Sequence, residues 1–259
     1  MPRHRDLPPG AFAPPAGALP AGVRAVQTTR AGGASAPPYA SMNLGLHVGD
    51  DPERVRANRR ALAAALPAGP RWLRQVHGVR IVDADAPIGA DAPVEADGAT
   101  VARPGRPVAV LTADCLPVVL ADAAGSRVTV VHAGWRGLAA GIVRAAVAGF
   151  GEGEALMAWL GPAIGPDAFE VGAEVREAFV RADPAHEGAF RPGAARGKHL
   201  ADLYALARTE ALGAARGGRV AVSGGDRCTF AEADAFFSHR RDGPRTGRMA
   251  TLAWLEPAG

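Results

Sequence analysis

Apolar and polar positions alternate over residues 23–29 (VRAVQTT), which predicts a strand. Residues 30–50 form a Gly/Ala/Pro/Ser-rich stretch that is long for a plain connection, and loops of that length are usually functional or disordered. Helical spacing starts after Asp51, a good N-cap, with Pro52 at the first helical position; it runs through VRANRRALAAAL and stops at Pro67. The middle of the chain changes character. RWLRQV, VRIVD, VAVLTA, LPVVLAD and RVTVVHA are short β-branched runs separated by turn residues, and they predict successive strands. Residues 137–150 (GLAAGIVRAAVAGF) read as one helix despite Gly141, and ALMAWLG returns to strand. AEVREAFVRA (173–182) and LADLYALARTEAL (200–212) have helical spacing, while RVAVSG and RMATLAWL close the chain as strands. Strands and helices are mixed without strict alternation, which favours α+β or mixed α/β over a doubly wound sheet.

Composition narrows this picture. The 259 residues are ample for a buried core. Residues 1–20 are rich in Pro and Ala and read as a flexible arm, leaving 21–259 as a single domain. The net charge is +3, with arginines scattered between acids; no basic stripe with interleaved aromatics exists, so no nucleic-acid partner is expected. No apolar window is long enough to span a membrane, and prolines interrupt the apolar region a signal peptide would need. Cys115 and Cys228 are too few for a disulfide framework. The expectation is a cytoplasmic protein with neither a membrane nor a protein partner.

Three segments share one pattern, a strand end followed by a ligand-type side chain and a turn: QVHG (75–78), TADC (112–115) and VHAGWRG (131–137). Their His77, Cys115 and His132 lie 38 and 17 residues apart, unlike the close pairs of a zinc finger. Two imidazoles and a thiolate favour zinc over magnesium or calcium and leave a fourth position open, as catalytic zinc sites do. Each residue taken alone is more often a packed His or a buried small Cys than a ligand. The turn in HAGWRG offers backbone N–H groups and Arg136 to an anion; the alternative is a tight turn with Trp135 packed and Arg136 solvated. Arg240, Arg241, Arg245 and Arg248 in HRRDGPRTGRM form either an anion site or a solvated face. Asn43 and His47 are candidate pocket residues, unless Asn43 serves its own loop. Asp114 is either a support for a ligand or a buried structural carboxylate, and Cys228 reads as a buried thiol. On the residues alone, two other classes stand beside a zinc enzyme. One is a metal-free hydrolase or deamidase with Cys115 as nucleophile and His132 as base; the other is a non-catalytic metal-stabilised binding module. A single copper also fits one Cys and two His, but several coppers do not.

In order along residues 23–254, RAGGAS, SMNLGLHVGDDPERVRANRRAL, QVHG, TADCLPVVLAD, VHAGWRG, GPAIGP…FEVG and FFSHRRDG…TGRMA resemble the bacterial multifunctional purine nucleoside phosphorylase family, formerly described as laccase-domain or polyphenol oxidase proteins. The resemblance implies a four-layer α/β/β/α sandwich with zinc on His77, Cys115 and His132, which are then also catalytic. It implies phosphorolysis of adenosine, inosine, guanosine or methylthioadenosine, with adenosine deamination alongside. Purine nucleosides and inorganic phosphate become the expected partners, and Arg30, Asn43, His47, Arg136, Arg240 and Arg248 the expected substrate and phosphate contacts. The chain departs from the family pattern at Asp167 and Ala168, where many relatives carry cysteine, and at Ala207 and Arg208, where asparagine is expected.

Overall fold

The computed structural model describes residue 7 and residues 9–86, 93–215 and 217–257. Two sheets hold most of the β-branched runs. The larger has six strands in the order Arg219–Gly224, Ala155–Leu160, Leu116–Asp122, Val128–Ala133, Gly98–Val101 and Ile81–Asp83. In the smaller, Met249–Leu255 lies between Val23–Gln27 and Val108–Thr112, antiparallel to both.

The two sheets stack face to face. Val128 and Val130 join Val110, Val119, Ala121 and Ala253 in the core between them. Val131 and Ala133 face the other way, into a core shared with Leu138, Ile142 and Leu206. All six residues of this strand are buried, and its apolar positions Val128, Val130, Val131 and Ala133 serve both faces. Helices Trp135–Ala139, Ile142–Ala148 and Leu203–Gly213 cover the outer face of the six-stranded sheet. Helix Pro52–Ala64 covers the outer face of the smaller one, packing Leu62 with Leu111, Ala250 and Leu252. The layers are therefore α/β/β/α, and the mixed α/β class read from the pattern holds. Asp51 caps its helix as read, its carboxylate accepting from the N–H of Glu53 at 2.9 Å. No helix among the described residues is long and apolar enough to cross a membrane.

Several elements differ from the sequence reading. The helix expected over 137–150 is two helices, broken at Gly141, whose φ of 95° suits a residue without Cβ. The helix expected from 200 begins at Leu203, because Asp202 caps it through the N–H groups of Tyr204 and Ala205. Residues 198–201 instead pair between Glu170–Gly172 and Phe190–Pro192. Those three-residue strands are too short to show a period, and Gly98–Val101 was likewise unread. RWLRQV keeps only Leu73–Arg74 as strand, since the Gln75 amide turns aside to bond both the N–H and the carbonyl of Leu111.

The 30–50 stretch contains neither helix nor strand, yet it buries Tyr39, Met42 and Leu44. A buried loop needs partners for its backbone. Asn58, on the adjacent helix, supplies them by donating to the carbonyls of Ser41 and Asn43 and accepting from Ala34. At the amino end, residues 1–6 and 8 of the expected arm lie outside the described residues. Phe12 bridges to Gln27 and meets Phe236 edge-on, with ring centroids 6.4 Å apart.

Candidate active site

The chain crosses from the smaller sheet to the larger between Val108–Thr112 and Leu116–Asp122, so TADC is the corner joining them. Asp114 turns that corner with φ 88°, a left-handed conformation few non-glycine residues adopt. Cys115 follows it, at one end of the inter-sheet core. His132 arrives on the neighbouring strand, opposite Pro117, and takes the next position along the face of Val128 and Val130. His77 comes from the loop between Leu73–Arg74 and Ile81–Asp83, with φ 61°. A non-glycine residue held in that region stores about 1–3 kcal/mol.

These three side chains meet. Their ligand atoms all lie within 4.8 Å of one another. Cys115 Sγ is 3.9 Å from His77 Nε2, and the two imidazole rings stand edge to face with centroids 4.8 Å apart. His132 is buried, Cys115 half-buried and His77 exposed, so the cluster has a closed side and an open one.

Beneath it sits Asp97, which the sequence reading passed over. It is fully buried, just before Gly98–Val101. Its Oδ1 lies 2.8 Å from His132 Nδ1 and accepts from the N–H of His77 at 2.9 Å; its Oδ2 accepts from Val76 at 3.1 Å and Gly78 at 2.7 Å. The sequence signal was weak, because Asp97 followed by Gly98 looks like an ordinary turn dipeptide. Burial opposes the Asp97 charge, but the bonds from His132, Gly78 and Val76 outweigh it and hold the carboxyl below its usual range. Burial likewise opposes charge on Cys115, yet His132 and His77 bring the thiol down to about 6. Burial would depress His132, but the Cys115 thiolate and the Asp97 carboxylate lift it to about 9.

A cavity of about 830 Å³ opens over the cluster. Four of the six expected substrate residues line it: His47, Arg136, Arg240 and Arg248. Arg136 lies over the Trp135 ring at 4.4 Å. Arg240 sits 5.3 Å from the Phe169 centroid and donates to the Glu170 carbonyl at 2.8 Å. Its backbone N–H is tied at 2.6 Å to Asp114, whose other oxygen accepts from the Thr229 hydroxyl. Asp114 thus fixes the Arg240 segment to the residue preceding Cys115. Arg248 spends Nη1 on the carbonyls of Thr246 and Gly247. Burial, and then the charges of Arg248 and Arg59, push the His47 imidazole below its ordinary value. Among the described residues the three guanidinium groups, of Arg136, Arg240 and Arg248, stand in no ion pair.

Arg30 and Asn43 are not in the lining. Arg30 binds the carbonyls of Ala40 and Ala233 and lies over Phe237. Asn43 is fully buried and serves the scaffold, with Oδ1 accepting from Gly45 and Arg248 and Nδ2 donating to Asp50. Lys198, His239, Glu170 and Glu174 also line the cavity and were not singled out from sequence, while Ile164, Phe169, Val171 and Val175 add apolar surface. Both cysteines are free, and Cys228 accepts from the N–H groups of Gly165 and Ala231 instead of joining the cluster.

Fold and site together define a four-layer α/β/β/α protein in which a His–Cys–His group of metal-ligating character lies under a cation-lined cavity. The family described as multi-copper polyphenol oxidoreductase laccase matches residues 24–256, and the chain belongs to that family. A protein of Pseudomonas aeruginosa named purine nucleoside phosphorylase is 51% identical over 238 residues, covering 92% of this chain and 95% of its own length. Purine nucleoside phosphorylase YfiH of Escherichia coli K12 is 48% identical over 239 residues, covering 91% and 95%. The crystal structure of a Neisseria meningitidis protein matches with a TM-score of 0.87 at 45% identity, covering 96% of this chain and 100% of that one. YlmD from Geobacillus stearothermophilus matches at 0.79 and 33% identity, covering 92% and 93%.

Proposed function

We propose that the protein is a zinc-dependent purine nucleoside phosphorylase of the cytoplasm, with adenosine deamination alongside, acting through one catalytic unit over residues 21–259. The observation that carries this reading is the cavity itself: cations without carboxylate partners gathered over a His–Cys–His cluster. The names of the relatives support the same substrates, and two free thiols suit a reducing compartment.

The donor set fits zinc. Tetrahedral zinc with bonds of about 2.0–2.3 Å places its ligand atoms roughly 3.4–3.6 Å apart, so a spread within 4.8 Å closes with small side-chain movements. Among the described residues this is the only such group of three, which supports one metal ion over a multi-copper centre. Bound there, zinc supplies Lewis-acid stabilisation of developing negative charge.

Arg136, Arg240 and Arg248 bring fixed positive charge to inorganic phosphate and hold it for attack. Ile164, Phe169, Val171 and Val175 receive the purine face by excluding water. A hydrogen phosphate oxygen forms the bond to C1′ as the glycosidic bond breaks; the electron pair of the broken bond leaves on the purine nitrogen, and the purine gains in net the proton that hydrogen phosphate gives up. Inosine and phosphate then give hypoxanthine and ribose 1-phosphate.

The test pairs elemental analysis of the purified protein with an inosine assay run with and without phosphate. One zinc per chain and strictly phosphate-dependent ribose 1-phosphate are expected; free ribose formed equally fast without phosphate would sink the proposal. A second reading, hydrolysis with Cys115 as nucleophile and His132 as base, draws on the same depressed thiol. Chelation separates the two, since it abolishes phosphorolysis and leaves a thiol hydrolase active.

A further inference from the structure

The Asp97 carboxylate receives four donors from two separate ligand-bearing segments. One is the His132 ring; the other three are consecutive backbone N–H groups, of Val76, His77 and Gly78. The carbonyl of Asp97 also accepts from the His132 N–H at 2.7 Å. Three successive N–H groups turned to one side form a nest suited to an anion, here the Asp97 carboxylate. They converge because His77 is held at φ 61°. A carboxylate on Nδ1 of His132 also selects the tautomer whose Nε2 lone pair is left for a metal.

We propose that Asp97 is the positioning residue of the metal centre, one carboxylate that fixes the ring of His132 and the backbone of His77 together. This rests on the metal-binding reading of the cluster. Asp97 touches no substrate and acts through the two histidines. Two of the three ligands are thereby registered against one group, and a displacement of either is transmitted to the other. The alternative is a buried acid that merely closes a loop, whose neutral replacement would leave the metal site as it was.

Asp97→Asn separates them. The amide matches the carboxylate in shape but has one acceptor oxygen. If that oxygen faces His77 and His132, the NH₂ is set against the N–H groups of Val76 and Gly78. If it is flipped, the NH₂ is set against His132. Either orientation releases one ligand segment. The zinc dissociation constant, measured by competition with a chromophoric chelator, is expected to rise about ten- to a hundredfold relative to wild type. The visible spectrum of the cobalt-substituted variant is expected to depart from the wild-type tetrahedral signature.

Wild-type affinity and an unchanged cobalt spectrum in Asp97→Asn would overturn the proposal. Failure of the wild-type protein to bind zinc would instead overturn the metal reading on which it rests. If the variant does not fold, nitrogen NMR of the zinc-loaded wild type decides. A slowly exchanging Nδ1–H on His132 supports the assignment, and metal on Nδ1 refutes it.

Discussion

Gly134→Ala adds one methyl group to the site and little else. Gly134 has φ −63° and ψ 155°, an extended conformation open to any residue, so the backbone is indifferent to the change. The space is not. A Cβ there would lie 2.7 Å from His77 Cδ2 and 3.1 Å from Cys115 Sγ. Carbon atoms pack at about 3.5–4.0 Å, so the His77 ring must withdraw by about 0.8 Å. Metal–ligand distances tolerate only about 0.2 Å. The His77 ring is exposed, so it swings toward solvent while its backbone N–H stays on Asp97, and the core is left in place. Loss of glycine at a helix N-cap and the lower entropy of the unfolded alanine chain work in opposite directions, each worth up to about 1 kcal/mol. The thermal midpoint should therefore move by no more than about 4 °C. Zinc affinity should fall at least about tenfold, the lower end of what misplaced ligand support costs. Calorimetry and chelator competition on the same preparation read both quantities. Wild-type zinc affinity in the variant would refute the steric argument, as would a loss of zinc that merely tracks a loss of folded protein.

Two further outcomes separate residues by what the structure shows them doing. Arg136→Ala removes a guanidinium from the cavity and should raise the KM for phosphate about ten- to a hundredfold, the worth of one charge-assisted bond of about 1.5–3 kcal/mol. Arg30→Ala should leave that KM within about twofold and lower the melting temperature instead, because Arg30 holds the carbonyls of Ala40 and Ala233; steady-state kinetics in which neither or both variants lose phosphate would contradict this division. In metal-free protein, Cys115 should be alkylated as a thiolate with a midpoint near pH 6. The thiolate persists above that pH and is lost below it as the sulfur takes up a proton. Iodoacetamide rates followed by peptide mass spectrometry, with Cys228 as internal reference, would refute the electrostatic account if Cys115 titrated like an ordinary thiol.

Reading by local pattern succeeded where the information is carried by neighbouring residues. Helix Ala173–Ala182 and strand Leu116–Asp122 appear with the bounds read for them, because a helical period and a β-branched run are properties of consecutive positions. Asp51 was legible as a cap for the same reason. The three residues His77, Cys115 and His132 were legible as ligand types, and the structure brings them together, His132 at the end of its strand but His77 from a loop and Cys115 from a corner.

Other features were decided only when the chain closed on itself. Asp97 bonds groups 20 and 35 residues away, a separation that leaves no trace in any window of sequence. Arg30 and Arg248 are the same residue type in turn-rich segments; one is consumed by carbonyls and a phenyl ring away from the cavity, while the other lines it. Gly134 looked like part of a tight turn, yet the room it leaves is occupied by His77 and Cys115. Local pattern carried most of the helices, the longer strands, the Asp51 cap and the residue types able to hold a metal, because propensity and periodicity act over a few neighbours. Which charges stay free, which carboxylate lies beneath the ligands and where a methyl group does not fit follow from the packing of distant segments. Those depend on distances between atoms far apart along the chain, and such distances exist only after the two sheets have stacked.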